Sequence, residues 1–271
     1  MSVWEALILG VVQGATEFLP VSSSGHLVLL QKIFGITEPV LLFDTALHVG
    51  TLLAVIVVLW RDIWGILSRI FQPLTLFLII ATVPAVFAAL LFRGPIEEAF
   101  ASASFLGFAF LLTSALLFLS EKVSRSVKKD PDAGPGRPKE GMNFIDAFLI
   151  GLLQAVAVVP GVSRSGATIS GGLFRRLDRD FAARFSFLLS IPAILGALLL
   201  QLISLAKAGD TMSVAPLPLA VGTLSACAVA FFSVRLALKI VREHSLLGFS
   251  AYTGILGLFV LVDKFATHFF F

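Results

Sequence analysis

Charge is the scarce component of this 271-residue chain: Asp, Glu, Lys and Arg together make up 14% of it, against 58% hydrophobic residues. Soluble domains carry about 25% charge and 45–50% apolar residues, so this composition cannot coat a water-facing globule. With a mean hydropathy of +0.98, the sequence reads as an integral membrane protein. Cysteine is almost absent. Cys227 stands alone, which excludes an intramolecular disulfide, argues against a cysteine-based metal cluster and leaves the redox compartment undetermined. The formal net charge is +3, but the basic residues fall in short stretches between apolar runs. That placement speaks for membrane topology and against nucleic acid as a partner. The N-terminus MSVWEALILGVVQG lacks a basic n-region, carries Glu5 and is followed by no small-residue cleavage pattern. It is expected to belong to the mature protein rather than to a signal peptide.

A bilayer core takes about 20 apolar residues per helix. Six runs meet that length, near 40–60, 73–92, 103–119, 185–206, 215–237 and 246–266. Pro84, Pro192 and Pro218 sit within or near the ends of such runs, where local kinks are expected. Two further stretches, 3–30 and 144–172, begin like spans and then turn polar: LILGVVQGATEFLPVSSSGHLVLL and FLIGLLQAVAVVPGVSRSGATISG. Pro, Ser and Gly between two short apolar segments suit a re-entrant helical hairpin, whose irregular backbone must face protein or water.

Counting positive charge tests that reading. If both stretches return to the side they entered from, one face collects Arg61, Arg69, Lys122, Arg125, Lys128, Lys129, Arg137, Lys139, Arg175, Arg176, Arg179, Arg184, Arg235, Lys239 and Arg242. The other receives Lys32, Arg93, Lys207 and Lys264, a division of fifteen to four. Were both stretches to cross, the same residues would divide ten to nine. The positive-inside rule selects the hairpins, with both termini outside.

The polar, basic segment 120–142, which contains EKVSRSVKKDPDAGPGRPKEG, reads as a flexible cytoplasmic linker between halves 1–119 and 143–271. A shift of 141 residues aligns Gly10 with Gly151, Gln13 with Gln154, Val21 with Val162, Ser22 with Ser163, Ser24 with Ser165 and Gly25 with Gly166. The sequence therefore predicts an all-α polytopic membrane protein, with six transmembrane helices plus two re-entrant hairpins. Three crossings per half force the copies into an inverted-topology repeat whose hairpins meet near the midplane.

In the first hairpin Gln13 and Glu17 are four apart and share a helix face. A carboxylate at membrane depth costs about 2.5–3.5 kcal/mol, so it marks a functional site unless it lies solvated near the interface. Ser22, Ser23, Ser24, Gly25 and His26 follow. His26 lies three residues from Ser23, close enough to exchange a proton with it, although the same cluster also suits an N-cap beside an interfacial histidine. The second hairpin centres on Ser163, Arg164, Ser165, Gly166 and Thr168, the makings of an oxyanion cradle: a bidentate guanidinium, hydroxyls and N–H groups at a helix start. The competing use of Arg164 is an ion pair with Glu17 that fastens the hairpins together. Asp44 and His48, also four apart, suit either the same cavity or an outer interfacial pair. Arg175, Arg176 and Arg179 suit topology or lipid headgroups.

These residues resemble a known family. QGATEFLPVSSSGH is similar to the first motif of the undecaprenyl-diphosphate phosphatases associated with bacitracin resistance, and PGVSRSGAT, residues 160–168, matches the second. FDTALHVGT, the chain length and the two-half organisation agree as well, so the resemblance covers essentially the whole chain. It implies a bacterial inner-membrane enzyme that hydrolyses undecaprenyl diphosphate to the monophosphate and inorganic phosphate, recycling the lipid carrier of peptidoglycan synthesis. It further implies Glu17, Ser23, His26 and Arg164 as catalytic residues, with Gln13, Ser163, Ser165, Gly166 and Thr168 on the substrate. Ser23 is expected to attack and His26 to relay its proton, with attack by His26 as the other option. A divalent cation, Mg²⁺ or Ca²⁺, is implied on Glu17; Gln13 stands where many relatives carry a second carboxylate, so Glu17 would act alone or with diphosphate oxygens completing the shell. Membrane lipids are the remaining partners, and self-association is left open. The competing class is a transporter or flippase for an anionic prenyl lipid, since inverted repeats and broken helices serve those proteins too.

Overall fold

The computed structural model describes residues 1–36, 40–102, 105–129, 136–208 and 215–268. Among them the fold is helical throughout, with one isolated bridge between Arg137 and Leu177. The first half holds α1 (Val3–Thr16), α2 (Ser23–Ile33), α3 (Leu41–Val58), α4 (Trp60–Leu67), α5 (Pro73–Leu91), α6 (Arg93–Ser102) and α7 (Leu106–Lys129). The second holds α8 (Phe144–Val156), α9 (Arg164–Phe174), α10 (Arg179–Ala208), α11 (Pro216–Glu243) and α12 (Leu247–Val262). Five helices, α5, α7, α10, α11 and α12, are long and apolar enough to cross a membrane, or six when α3 and α4 count as one bent span. Large apolar side chains face outward along them, among them Leu224 at 70% exposure and Phe232 at 69%. Such a surface is stable against lipid and not against water, so this is a multi-pass membrane protein.

Both polar stretches form helix–turn–helix units. At 1.5 Å per residue α1 rises about 21 Å, short of the roughly 30 Å hydrocarbon core. Each unit is punctuated by its sequence. Ser2 and Asn143 open α1 and α8 with capping boxes, closed by Glu5 and Asp146. Ser22 and Ser163 cap α2 and α9 by accepting from the N–H groups of Gly25 and Gly166.

The 141-residue offset reappears in the packing as an exchange of partners. α1 lies against α11, and α8 against α5. A Cβ on Gly10 would stand 2.3 Å from the carbonyl oxygen of Gly222, and one on Gly151 would stand 2.7 Å from that of Ala81. Gly222 is itself Ala81 shifted by 141. The first helix of each half therefore sits on the offset-related helix of the other half, at a crossing where only hydrogen fits.

One expectation needs correction, and two others gain detail. The run near 40–60 is α3, and at its end the chain bends by 80° into α4, turning Trp60, Trp64 and Leu67 outward. The segment 120–142 is not a uniform flexible linker, because α7 continues to Lys129; residues 130–135 lie outside the described residues. Its far end is pinned, since Arg137 donates to the Asp146 carboxylate at 3.0 Å and to the Arg175 carbonyl at 2.6 Å. Pro84 and Pro192 lie inside helices, whereas Pro218 sits in the first turn of α11, where its missing N–H leaves no hydrogen bond unmade.

Candidate active site

Glu17 closes the C-terminal end of α1. The helix dipole is negative there, so a buried carboxylate at 5% exposure needs compensation from outside its own helix. It has four partners. Gln13 Nε2 donates to Oε2 at 2.8 Å, and Ser23 Oγ donates to the same oxygen at 2.5 Å. His48 Nε2 lies 3.5 Å from that oxygen. Oε1 takes the guanidinium of Arg164, which arrives from the other hairpin. Phe18, fully buried edge-on against Phe187, anchors the turn beside this cluster.

The two turns also interlock. Ser24 Oγ accepts from the N–H of Gly161 at 3.3 Å, and its repeat partner Ser165 donates to the Leu19 carbonyl at 3.0 Å. Gly161 holds φ at +87°, a conformation that favours glycine. Ser22 holds φ at +72° without being glycine, a strain of about 1–3 kcal/mol that the surroundings must hold in place. Besides the cap bond from the Gly25 N–H, the His26 ring helps to do so: its Nδ1 donates to the Ser22 carbonyl at 2.6 Å. That fixes the tautomer, leaving Nε2 to accept from the hydroxyl of Tyr252 at 2.7 Å. The His26 and Tyr252 rings stack 5.7 Å apart.

A cavity of about 300 Å³ opens onto Glu17, Ser23, Asp44, His48, Ser163 and Arg164. Asp44 and His48 thus join the site; His48 Nδ1 donates to the Asp44 carbonyl, and Asp44 Oδ1 accepts from Gln31. Other expected residues lie behind the wall. Gln13 is fully buried under Glu17. The Gly166 N–H is committed to Ser163, and the Ser165 hydroxyl to Leu19. Thr168, at 1% exposure, donates to the Arg164 carbonyl and shares a hydrogen bond with Ser186. It steadies the first turn of α9 and does not face the cavity. The Ser23 hydroxyl is engaged by Glu17, and both nitrogens of His26 by other groups. Sequence reasoning missed Tyr252, although it is the single tyrosine of the chain.

One further relationship follows from the repeat. Shifted by 141 residues, Glu17 falls on Val158 and Ser23 falls on Arg164. The acid and the hydroxyl come from the first half and the guanidinium from the second, so two turns, one from each half, build one composite site. The same turns place the N-termini of α2 and α9 beside the cavity, where the positive ends of both helix dipoles favour an anion.

Residues 6–259 match the family model described as bacitracin resistance protein BacA. The chain belongs to that family. An undecaprenyl-diphosphatase of Carboxydothermus hydrogenoformans is 44% identical over 263 residues, 97% of either chain. Undecaprenyl-diphosphatase 4 of Bacillus cereus is 41% identical over 261 residues, 96% of this chain and 97% of its own. The undecaprenyl-diphosphatase of Halothermothrix orenii is 36% identical over 264 residues, 97% and 98% of the two chains. Family membership thus extends over both hairpins and the helices that carry them.

Proposed function

We propose that this protein hydrolyses undecaprenyl diphosphate to undecaprenyl phosphate and inorganic phosphate, recycling the lipid carrier for peptidoglycan synthesis and supporting resistance to bacitracin. The observation that carries the chemistry is the hydrogen bond from Ser23 Oγ to Glu17, held beside Arg164 on the wall of one cavity. Relatives of closely similar length carry the name of this activity, which favours hydrolysis over translocation alone.

In the first step Ser23 Oγ attacks the terminal phosphorus and gives its proton to Glu17. The new bond is Oγ–P; the bond that breaks is that from the same phosphorus to the bridging oxygen, whose electrons leave with undecaprenyl phosphate. That leaving group is a phosphate monoester with a second pKa near 6, so it departs as an anion without a general acid. In the second step water attacks the phosphoserine, Glu17 returns its proton to the departing Oγ, and the proton of water leaves with the phosphate. Arg164 and the two helix N-termini neutralise the equatorial oxygens throughout, the dominant contribution in phosphoryl transfer. His26 keeps the strained Ser22 backbone in place, and so aims Ser23 rather than taking its proton.

A divalent cation belongs to the same proposal. The Glu17 carboxylate on the cavity wall is a hard oxygen ligand, which suits Mg²⁺ or Ca²⁺. Among the described residues no three acidic, histidine or cysteine side chains could hold a metal by themselves. Glu17 would therefore hold it together with diphosphate oxygens, and it would supply charge neutralisation.

The membrane reading is six spans with two re-entrant hairpins in an inverted repeat, in the inner membrane, with both termini on the outer side. It is supported by the charge division and by the exchanged contacts of Gly10 and Gly151. The α4 helix, turned away from α3 with two outward tryptophans, suits the membrane interface. Phosphate release from the purified protein in detergent tests the function; tight binding of a prenyl diphosphate without release would select the transporter instead. For topology, a cysteine at Ser126 in a Cys227→Ala background should stay unlabelled by an impermeant reagent in intact cells.

A further inference from the structure

Building on the diphosphatase reading, we infer that the polyisoprenoid tail leaves the active site sideways, past Pro192 and Ala193 of α10, into an apolar groove between α5 and α10. The cavity that holds Glu17 and Arg164 is walled on one side by Ala193, Ile194 and Ala197. The preceding residue, Pro192, lines a second cavity of about 440 Å³, whose opposite wall is α5 from Thr75 to Phe87. The two cavities therefore touch the same turn of α10.

A second element, α8, runs from one to the other. Gly151 of α8 packs on Ala81 in the middle of α5, and Gln154 donates to the Ala81 carbonyl at 3.2 Å. From there α8 runs into Ala157, Val158 and Val159, which line the active-site cavity. The hairpin turn and the groove are consequently neighbours on both α5 and α10.

The chemistry of the groove fits a hydrocarbon. Ile79, Val83, Val86 and Phe87 form its open face, with Phe87 at 71% exposure. The Thr82 hydroxyl donates to the Leu78 carbonyl of its own helix at 2.7 Å, which leaves the Thr75 hydroxyl at one end as the remaining polar side chain of an otherwise apolar lining. A substrate whose diphosphate is drawn in to Glu17, at the end of a helix too short to cross the bilayer, cannot keep its tail extended in its own leaflet. A lateral apolar exit beside the headgroup solves that problem, because the tail stays among apolar groups all the way from the active site to the lipid. A phospholipid would fill the same groove only by leaving its headgroup at the bilayer surface, with no contact to Arg164.

The test uses full-length protein in detergent and two substrates, the eleven-isoprene diphosphate and the three-isoprene farnesyl diphosphate. Val83→Trp and Val86→Trp should lower the ratio of kcat/KM for the long substrate over the short one about tenfold, as filling a hydrophobic subsite does. An eleven-isoprene analogue with a diazirine a few isoprene units from the diphosphate should crosslink to α5 between Leu78 and Phe87. An unchanged ratio in both variants, whether rates hold or fall together, combined with crosslinks elsewhere, would overturn the groove. Absence of phosphate release by the unmodified protein from either substrate would instead defeat the diphosphatase reading.

Discussion

Glu17 and Arg164 stand 147 residues apart in sequence and share one ion pair, each at the turn of a different hairpin. The pair reconciles the two uses that the sequence leaves open for the arginine. It fastens the hairpins, and it leaves the guanidinium on the cavity wall with N–H groups to offer a phosphate. Arg164→Ala should lower kcat/KM about a thousandfold by removing the main transition-state cation. It should also destabilise the protein by about 3–5 kcal/mol, because Glu17 stays buried without its partner. Arg164→Lys should recover most of the stability and little of the activity, since a point charge does not replace the fork. Thermal melting and turnover measured on the same preparations separate the two effects; turnover like that of the parent would remove Arg164 from the site.

Covalent catalysis by Ser23 predicts an intermediate. Rapid acid quench of protein turning over labelled prenyl diphosphate should leave phosphate on Ser23, and Ser23→Ala should lower kcat about a thousandfold or more, as loss of a nucleophile does. Phosphate recovered on His26 would assign attack to the ring instead.

The stacked pair His26 and Tyr252 holds the Ser22 backbone, so its removal should act by misplacing Ser23. Tyr252→Phe deletes only the hydroxyl that donates to Nε2 and should reduce kcat less than tenfold. His26→Asn, which keeps a donor for the Ser22 carbonyl, should retain far more activity than His26→Ala. If His26→Asn were as inactive as Ser23→Ala, the ring would have to carry the proton itself.

How much of this the sequence disclosed depends on the kind of information. The two helix–turn–helix units were legible because Pro, Ser and Gly inside apolar runs conflict with a continuous helix, and Glu17 and Arg164 because isolated charges inside apolar runs are costly. Helix partners were not, since hydropathy says that α1 is buried but not that α11 buries it. The partner of Ser23 was missed for a related reason. Spacing along one helix favoured His26, three residues away, while Glu17 reaches Ser23 across the turn. Thr168 fell on the expected motif, yet its place one turn into α9 commits it to the Arg164 carbonyl. Asp44 and His48 could be placed only once α3 was seen to line the cavity.

The cation proposal predicts that a chelator abolishes phosphate release and that Mg²⁺ or Ca²⁺ restores it. Glu17→Gln should lose most activity and raise the metal concentration for half-maximal rate about tenfold or more, because a carboxylate ligand becomes a neutral amide. Full turnover after chelation would dismiss the cation, and an unchanged metal requirement in Glu17→Gln would confine Glu17 to proton transfer.

The exchanged glycine contacts make a ranked prediction about stability. A Cβ at position 10 would meet Ser225 Oγ at 2.1 Å and the Gly222 carbonyl at 2.3 Å, whereas one at position 151 would meet the Ala81 carbonyl at 2.7 Å. Backbone atoms cannot swing aside, so α1 and α11 must separate in Gly10→Ala, and α8 and α5 must separate by less in Gly151→Ala. Overpacking of this kind costs about 1–3 kcal/mol, with position 10 at the upper end. Gly65→Ala is the control, since nothing lies within 4 Å of its Cβ and alanine is the better helix former. Melting temperatures in one detergent should fall in the order Gly10→Ala, then Gly151→Ala, with Gly65→Ala at or above the parent. Equal melting of all three would mean that the two helix crossings are looser than the exchanged contacts require.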